Sequence, residues 1–433
     1  MAYRYPLQRI GLSILLLAGA TIARASDASA FTLNTLYSFC SKNGCSDGVG
    51  PQSQWLSDQA GHYFGAAAFG GVGAGTVWKF AYNPRKMKWG YTRLYAFCIA
   101  SGCGQHPRRD LILDQGGNLY GMMNSGGAGN AGEIFELLKP PPGSNKWKLR
   151  VLHDFCARRN CTDGSDPSAG LSYVGQATGA LYDGVSPLYG STFLGGKQNA
   201  GLIYQLNPPP PGQTRWTEQA IFDFCSQSNC ADGGYSEGEL IADAAGTLYG
   251  TTGAGGQYGS GTVFTLKPGT PWQHTILYSF CKDGLPCTDG ESPHAPLVMD
   301  ASGNLFGATR DGGDSNSYGV IFKLTRDGDS YDYSLLHAFQ LSDGHTSYQG
   351  LILDAQGNLF GVTPSGGAQN AGTVYQLAPD GTFTVLHAFC QLSNCTDGNS
   401  PAGAIVLDES GNLFGSTREG GAHNFGTLFE LVH

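Results

Sequence analysis

Short apolar runs alternate with glycine-rich polar segments along almost the whole chain. Some runs are continuous, such as Leu351-Ile352-Leu353, whereas Thr35-Leu36-Tyr37-Ser38-Phe39 alternates apolar and polar positions. Continuous short runs are typical of strands buried on both faces, and alternation is typical of strands with one exposed face. The apolar positions do not follow a sustained helical period. The pattern therefore predicts an all-β protein.

The same unit is repeated along the chain. A phrase of the form Leu-Tyr-x-Phe occurs seven times, with spacings of 58, 58, 69, 56, 59 and 50 residues. Each unit has an apolar run, an Asp-x-x-Gly turn, a second strand, a Gly-Gly loop, a third strand and then this phrase. The phrases begin at Leu36, Leu94, Leu152, Ile221, Leu277, Leu336 and Leu386. Each unit thus contains four predicted strands.

Four strands repeated seven times predict a seven-bladed β-propeller, because solenoid units are usually shorter. We place the continuous apolar strand innermost, beside a central channel, and the alternating strand at the outer edge. With this phasing the chain begins with an outer strand and ends with a third strand. The N-terminal strand is therefore predicted to complete the last blade. The third unit departs from the pattern by an insertion, residues 175–185, between its first two strands.

The N-terminus has the features of a secretory signal peptide. Arg4 and Arg9 precede the apolar stretch 10–20, and small residues follow it. We predict a signal peptide over residues 1–25, with cleavage as late as residue 30, followed by a single propeller domain over 31–433. No second apolar stretch follows, so we expect no membrane span after signal removal and a periplasmic or extracellular protein.

The cysteines form close pairs, each just after a predicted outer strand. The sixth unit lacks both members of its pair, which is expected if they form a local disulfide. Each bridge closes a loop of about six residues, and such bridges indicate an oxidising compartment. A zinc site is the weaker alternative, because the pairs belong to different blades. The 12 cysteines are Cys40 and Cys45, Cys98 and Cys103, Cys156 and Cys161, Cys225 and Cys230, Cys281 and Cys287, and Cys390 and Cys395.

Amino-acid composition and missing motifs argue against several classes of function. Glycine accounts for 66 of 433 residues, charged residues for only 14%, and the net charge is −9. An acidic chain argues against nucleic acid as a partner, because phosphate contacts need a basic surface. The P-loop, zinc-protease, serine-hydrolase and calcium-loop motifs are all missing from the sequence. We therefore expect no cofactor and no metal.

The repeat resembles the GloVer repeat of the bacterial choice-of-anchor tandem repeat proteins. The resemblance is carried by Asp-Gly-x-x-Pro-x-Ala, Gly-Asn-Leu-Phe-Gly-x-Thr and Gly-Gly-x-x-x-x-Gly-Thr-Val-Phe-x-Leu, which occur here at 397–402, 412–417 and 420–431 in closely matching form. It covers essentially the whole mature chain. It implies an exported, propeller-like protein, often with a C-terminal anchoring signal, which we do not expect here. It implies no catalytic residue.

Candidate site residues emerge when the seven units are compared with one another. In a propeller, the loops before the innermost strand and the Gly-Gly loops share one face, where ligands usually bind. Just before the inner strands, most units have small residues or proline. The exceptions are Arg108, Arg109, Asp110, Glu237, Glu239 and His294. Two carboxylates with a histidine and an arginine suit acid–base chemistry or a polar ligand. A solvated, self-neutralising loop face is the alternative that we favour.

The Gly-Gly loops supply a second set of candidates. Arg310-Asp311 and Arg418-Glu419 replace residues that are mostly small or neutral in the other units. Arginines there could bind an acidic sugar or a peptide carboxylate through bidentate contacts. Local pairing of the adjacent opposite charges is the alternative.

Two recurring features have simpler structural explanations. Six units carry Asp-Gly in the loop before the inner strand, and this dipeptide is more often turn chemistry than a ring of ligand-binding carboxylates. Four tryptophans precede outer strands by a fixed offset, which favours packing at the blade edge over sugar stacking. They are Trp89, Trp147, Trp216 and Trp272.

Two functions compete at this point. The first is a secreted binding module for a glycan or an envelope protein. The second is an extracellular polysaccharide lyase or glycoside hydrolase with Glu237, Glu239, His294 and Arg108 at the channel mouth. Convergence of those four side chains in one cleft would favour the enzyme. The oligomeric state does not follow from the sequence.

Overall fold

The protein is described here from a computed structural model. It describes residues 31–99, 103–347 and 349–433. The predicted signal peptide, residues 1–25, lies outside the described residues. Phe31–His433 form one compact unit.

Seven antiparallel sheets follow one another along the chain, one for each repeat unit. Blade 1 contains β2 Val49–Pro51, β3 Leu56–Ser57, β4 His62–Phe69, β5 Thr76–Asn83 and β6 Lys88–Ala96. Blade 2 contains β7 Gly104–Leu113, β8 Leu119–Gly126, β9 Glu133–Leu138 and β10 Lys148–Asp154. Blade 3 contains β11 Leu188–Thr192, β12 Leu202–Asn207 and β13 Thr217–Asp223. Blade 4 contains β14 Ile241–Ala242, β15 Leu248–Thr252, β16 Thr262–Lys267 and β17 Gln273–Ser279.

The remaining blades follow the same order. Blade 5 contains β18 Val298–Met299, β19 Leu305–Ala308, β20 Val320–Asp327 and β21 Ser330–Ala338. Blade 6 contains β22 Ile352–Leu353, β23 Leu359–Thr363, β24 Thr373–Leu377 and β25 Phe383–Ala388. Blade 7 contains β26 Asn399–Leu407, β27 Leu413–Glu419, β28 Thr427–Val432 and, from the N-terminus, β1 Thr32–Ser38. The seven-bladed propeller predicted from the repeats is confirmed.

The N-terminal strand closes the ring, as the phasing of the repeats predicts. β1 pairs antiparallel with β28, so that Thr32 lies opposite Val432 and Ser38 opposite Thr427. The two ends of the described chain therefore meet in one sheet. This pairing removes the open edge that blade 7 would otherwise present.

The Leu-Tyr-x-Phe phrase recurs because its phenylalanine has the same place in every blade. All seven phenylalanines are at most 1% exposed. Each backbone N–H donates to the glycine carbonyl at the start of the third strand, as Phe39 does to Gly426 and Phe155 to Gly132. These side chains are Phe39, Phe97, Phe155, Phe224, Phe280, Phe339 and Phe389.

Neighbouring blades are joined by a second recurring hydrogen bond. In every unit, one residue of the loop before the inner strand has a left-handed backbone with φ between 53° and 62°. Its N–H donates to a carbonyl of the previous blade's Gly-Gly loop, as Tyr235 does to Ala200 and Ser400 to Ala371. The seven residues are Gly50, His106, Asp166, Tyr235, Ser292, Thr346 and Ser400. The left-handed conformation of these residues thus belongs to the contact between neighbouring blades and does not by itself mark a functional site.

The inner strands differ from the sequence prediction in two respects. In blade 3 the inner strand is reduced to one bridge, between Ser172 and Tyr189, and its sheet has three strands. Elsewhere the apolar runs are not buried on both faces throughout, since Ile352 and Leu353 are only half-buried. Ile352 packs against the buried cluster between blades 6 and 7, and Leu353 packs against the cluster between blades 5 and 6.

The insertion of blade 3 explains why the inner strand of blade 2 is buried. Tyr182 bridges to Asp114, and its backbone exchanges hydrogen bonds with the strand end of blade 2 at Leu113 and Gln115. The insertion includes a 3-10 turn, Gln176–Thr178. It thus lies across the channel at the face where the first strands turn into the second strands.

The six cysteine pairs form disulfides, and all of them lie in the loops that leave the outer strands. Four of these loops contain a 3-10 turn that ends on the second cysteine. These turns are Asn43–Cys45, Arg159–Cys161, Ser228–Cys230 and Ser393–Cys395. The disulfide prediction from the paired cysteines is confirmed.

The Asp-Gly carboxylates support these loops from inside. Asp397 accepts hydrogen bonds from the backbone N–H groups of Gln391 and Leu392, and it is 2% exposed. Equivalent bonds are made by the carboxylates of the other Asp-Gly units. The structural explanation of this dipeptide therefore holds, and these carboxylates do not form a ligand-binding ring.

The tryptophans at the outer strands contact the blade cores. Trp216 is 6% exposed and belongs to a buried cluster with Tyr120 and Tyr204. Trp89 stacks on Phe80 with ring centroids 5.1 Å apart. Trp147 and Trp272 also pack against apolar clusters. Within the described part of the chain, no helix has the length and apolar character needed to cross a membrane.

Candidate functional site

Equivalent positions in successive blades line the channel. The position two residues after the left-handed residue lies at the channel mouth, and we call this set the mouth ring. Among the described residues, it consists of Gln52, Arg108, Ser168, Glu237, His294 and Ala402. Two residues further along each strand lies a deeper set, the inner ring. It consists of Gln54, Asp110, Gly170, Glu239, Pro296, Gly350 and Ala404.

One cavity opens between the polar members of the mouth ring. Its volume is about 270 Å³, and side chains of six blades line it. Two of the lining residues, Arg310 and Arg418, come from Gly-Gly loops. The complete lining is Gln52, Arg108, Arg109, Glu237, His294, Arg310, Gln349 and Arg418.

The cavity is strongly basic although the protein is acidic. Four arginines line it, and Glu237 is its one carboxylate. Burial lowers the pKa of Arg108, and the like charges of Arg109 and Arg418 lower it further. Crowded guanidinium groups repel one another, so a bound anion would relieve this repulsion.

Glu237 is held by two basic neighbours. Its carboxylate lies 3.3 Å from His294 Nδ1 and 3.8 Å from a guanidinium nitrogen of Arg109. Burial alone would raise the pKa of Glu237, but the His294 ring and the Arg109 charge outweigh burial and hold it below its ordinary value. Glu237 is therefore an ionised hydrogen-bond acceptor at the mouth of the channel.

A second cavity lies deeper, against the inner ring. It has a volume of about 320 Å³, and Asp110, Glu239 and Trp55 are among its lining residues. The insertion of blade 3 forms part of its wall, where Gln176 donates a hydrogen bond of 2.7 Å to Glu239. Burial and the neighbouring Asp110 carboxylate raise the pKa of Glu239 well above its ordinary value. Glu239 therefore takes up a proton more readily than an ordinary glutamate.

The structure joins the two sets of sequence candidates into one site. Arg108, Glu237 and His294, from the loops before the inner strands, line the mouth cavity together with Arg310 and Arg418 from the Gly-Gly loops. Glu239 and Asp110 do not join them, because the inner ring faces the lower cavity. Sequence spacing places Glu237 and Glu239 on one side of an extended segment but does not indicate that the two side chains line different cavities.

Two candidates lie outside both cavities. Asp311 forms an ion pair of 2.9 Å with Arg310, which is the local pairing considered as the alternative for these residues. Glu419 accepts a hydrogen bond from the Asn399 side chain. Both carboxylates lie near the rim of the site and are not among the residues that line it.

Sequence reasoning missed Gln52 and Gln349. Gln52 occupies the mouth ring of blade 1, and Gln349 follows that ring position in blade 6. Their repeat position is the signal that indicates them, but an uncharged side chain does not stand out in a polar loop. Gln349 also accepts a hydrogen bond from the Gly403 N–H, which ties blade 6 to blade 7.

The donor set does not suggest a metal centre. Among the described residues, no group of three or more His, Cys, Asp or Glu side chains is arranged to hold a metal ion. The chemistry of the mouth cavity is that of an anion site with adjoining hydrogen-bonding groups.

The fold and the cavity define the protein as a seven-bladed β-propeller with an arginine-lined pocket at one mouth of its channel. The sequence profile of the Gloeobacter/Verrucomicrobia repeat matches residues 183–352 and 273–433, in two overlapping copies. Together these matches cover more than half of the chain. The chain belongs to the Gloeobacter/Verrucomicrobia repeat family, as its resemblance to the GloVer repeat implied. A search of curated proteins finds no match.

Proposed function

We propose that the protein is an exported binding module that holds an acidic group of a glycan at the mouth of its channel. One observation carries the proposal: four arginines from three blades line a single cavity with one carboxylate. Guanidinium groups bind carboxylates through paired, charge-assisted hydrogen bonds. Since the chain as a whole is acidic, the four arginines concentrated in one cavity indicate a site for an anionic ligand.

The other lining residues favour a sugar as the carrier of that acidic group. Glu237 is an ionised acceptor for hydroxyl groups, and Gln52 and Gln349 provide amides. A volume of about 270 Å³ suits a single small unit, such as one sugar ring. Export is supported by the six disulfides, because such bonds persist in oxidising compartments.

Binding measurements on the purified full-length protein test the proposal. We would titrate oligomers of galacturonic, glucuronic and mannuronic acid, and neutral galactose oligomers, by calorimetry. At least one acidic series should bind, and the Arg310→Gln/Arg418→Gln variant should bind it at least about tenfold more weakly. Arg85→Gln, an exposed arginine in a hairpin of blade 1, is the matched control and should bind normally. Equal binding by the double variant, or a failure of every acidic series to bind, would overturn the proposal.

Catalysis on a polysaccharide is a second candidate function, favoured by one specific observation. The pKa of Glu237 is lowered and that of Glu239 is raised, and both residues lie in the segment just before β14 of blade 4. Two carboxyl groups whose pKa values are moved apart are the usual arrangement of an acid and a base. Against it, Glu239 faces a different cavity from Arg108 and His294.

Product analysis decides between the two functions. Incubation with the same oligomers should release no new reducing ends or unsaturated sugars if the protein only binds. If products do appear, and the Glu237→Gln variant forms none, the enzyme hypothesis replaces the binding module.

A further inference from the structure

Aromatic pairs surround the mouth cavity on the same face of the propeller. Each joins a Gly-Gly loop of one blade to the loop before the inner strand of the next blade. The pairs are Phe69 with His106 at 4.8 Å between ring centroids, Phe193 with Tyr235 at 5.3 Å, and Tyr318 with His345 at 5.4 Å.

The repeat does not require these aromatic residues. Phe69 and Tyr318 occupy different positions of their Gly-Gly loops, and the corresponding positions carry small or polar residues in most other blades. The exceptions are Leu194 in blade 3 and Phe425 in blade 7. Tyr235 has a left-handed backbone, where the equivalent residues are mostly Gly, Ser, Thr or Asp. A bulky side chain in that conformation costs energy. Tyr235 nevertheless keeps 36% of its surface exposed on this face.

The aromatic residues adjoin the charged site. A methyl group built on Gly50 would lie 3.9 Å from the Phe69 ring and equally close to the Arg418 side chain, so these two side chains flank the same glycine. Tyr235 lies two residues before Glu237, or about 7 Å along an extended chain. The pKa of His106 is lowered, first by burial and then by the charge of Arg108.

We infer that the ligand is a chain of acidic sugars several residues long, not an isolated acidic sugar. One unit occupies the mouth cavity, and neighbouring units lie against the aromatic pairs at Phe69 and Tyr235. An aromatic ring buries a large flat apolar area, which matches the C–H face of a sugar ring. This inference rests on the proposed function, because the charged unit in the cavity sets the position of the chain.

The arrangement fits a polysaccharide better than a protein partner. The exposed aromatic side chains occur as separate pairs at different blade junctions. A protein interface needs a contiguous patch of roughly 800 Å² on each partner. The charged group is instead recessed in a cavity of about 270 Å³, which a narrow chain can enter.

The test is the dependence of affinity on ligand length. We would titrate the protein with uronic acid oligomers of one, two, four and eight units, from the series that binds. The affinity of the unaltered protein should rise at least about tenfold between the monomer and the octamer. The Phe69→Ala/Tyr235→Asn variant should bind the monomer normally and lose most of this rise. Asparagine is chosen at position 235 because it accepts a left-handed backbone.

The matched control is Tyr82→Ala, which removes an exposed aromatic side chain, 45% exposed, from the opposite end of blade 1. It should leave the whole length series unchanged. A flat length series, or equal losses for monomer and octamer in the double variant, would overturn the inference while the proposed function stands. Failure of the monomer and of all longer oligomers to bind the unaltered protein would overturn both. Circular dichroism and the melting temperature confirm that each variant is folded.

Discussion

Single residues that recur in the repeat mostly support the blades. In five of the six disulfide loops, the Asp-Gly carboxylate is buried and accepts backbone hydrogen bonds, as Asp397 does from Gln391 and Leu392. For Asp47, burial alone would raise the pKa, but hydrogen bonds from Tyr37 and Ser41 outweigh burial and hold the pKa below its ordinary value. By contrast, the residues that do not recur, such as Arg108 and Glu237, are the ones that line the cavity.

Loss of one such carboxylate should destabilise the protein. The Asp397→Ala variant leaves two backbone N–H groups without their acceptor, and we expect its free energy of unfolding to fall by about 1–3 kcal/mol. Urea denaturation followed by fluorescence would measure the change. Asp380→Ala removes an exposed turn carboxylate from the neighbouring hairpin and should leave the unfolding midpoint unchanged. Equal midpoints for all three proteins would contradict the role given to Asp397.

Blade 2 contains a buried carboxyl group that should make stability depend on pH. Glu133 is 2% exposed, and burial together with the nearby Asp154 raises its pKa to about 8. The unfolded chain has the ordinary value of 4.5. The stabilising effect of the retained proton is therefore complete below the unfolded value and is lost as the pH rises towards about 8.

The Glu133→Gln variant should lose this dependence, because glutamine resembles the protonated form at every pH. At pH 8 and above we expect it to exceed the unaltered protein in stability by an amount on the order of a few kcal/mol. Urea denaturation at pH 5 and pH 8 would measure the difference. Glu409→Gln, in an exposed turn, is the control and should follow the unaltered protein. If the stabilities of Glu133→Gln and of the unaltered protein change equally between pH 5 and pH 8, this expectation is wrong.

At the scale of elements, the disulfide loops combine two independent supports. The loop between Cys156 and Cys161 has a disulfide and also hydrogen bonds from Ala157 and Arg158 to Asp163. The sixth blade keeps the carboxylate, Asp343, without the disulfide. The carboxylate thus supports a shorter loop without a disulfide in blade 6. We expect the disulfide to add stability to the longer loops.

Removal of one bridge should consequently weaken the protein without unfolding it. For Cys156→Ser/Cys161→Ser we expect a loss of about 2 kcal/mol, because a loop of this length regains that much entropy in the unfolded chain. Guanidinium denaturation would measure it. Combining this change with Asp163→Ala should cause a further loss, and the loop should then become the first site of proteolysis. A double cysteine variant that fails to fold would contradict the division of roles.

At the scale of the whole molecule, stability depends on closure of the ring. β1 joins the N-terminal segment to β28, and Tyr37 stacks on Tyr91 of blade 1 with ring centroids 4.4 Å apart. Blade 7 and the joint between blades 7 and 1 therefore both depend on residues 32–39.

Two N-terminal deletions, one with and one without the closing strand β1, test whether stability depends on closure of the ring. Deletion of residues 1–38 should lower the melting temperature by roughly 10 °C or more, because it removes a whole strand and opens a blade edge. Deletion of residues 1–30 should leave the melting temperature unchanged. Both are measured by scanning calorimetry on protein oxidised in vitro. Equal melting temperatures for the two truncated proteins would show that the ring does not need its closing strand.

The candidate site was only partly predictable for a physical reason. Comparison of the seven units found Arg108, Glu237, His294, Arg310 and Arg418, because equivalent positions in a propeller face the same channel. It could not separate Glu237 from Glu239, since depth along the channel depends on how the strands tilt and pack. It also missed Gln52, whose uncharged side chain does not stand out in a polar loop.

The sequence by itself determined the number of blades, their strand order, the closing strand and the disulfide pairs. Those features follow from turn residues, apolar periodicity and short cysteine spacings, all of which involve residues close together in the sequence. Only the tertiary structure decided which loops from distant units meet around one cavity, and that the insertion of blade 3 reaches the inner strand of blade 2. Such contacts depend on the radius and tilt of the assembled ring, which no single repeat contains.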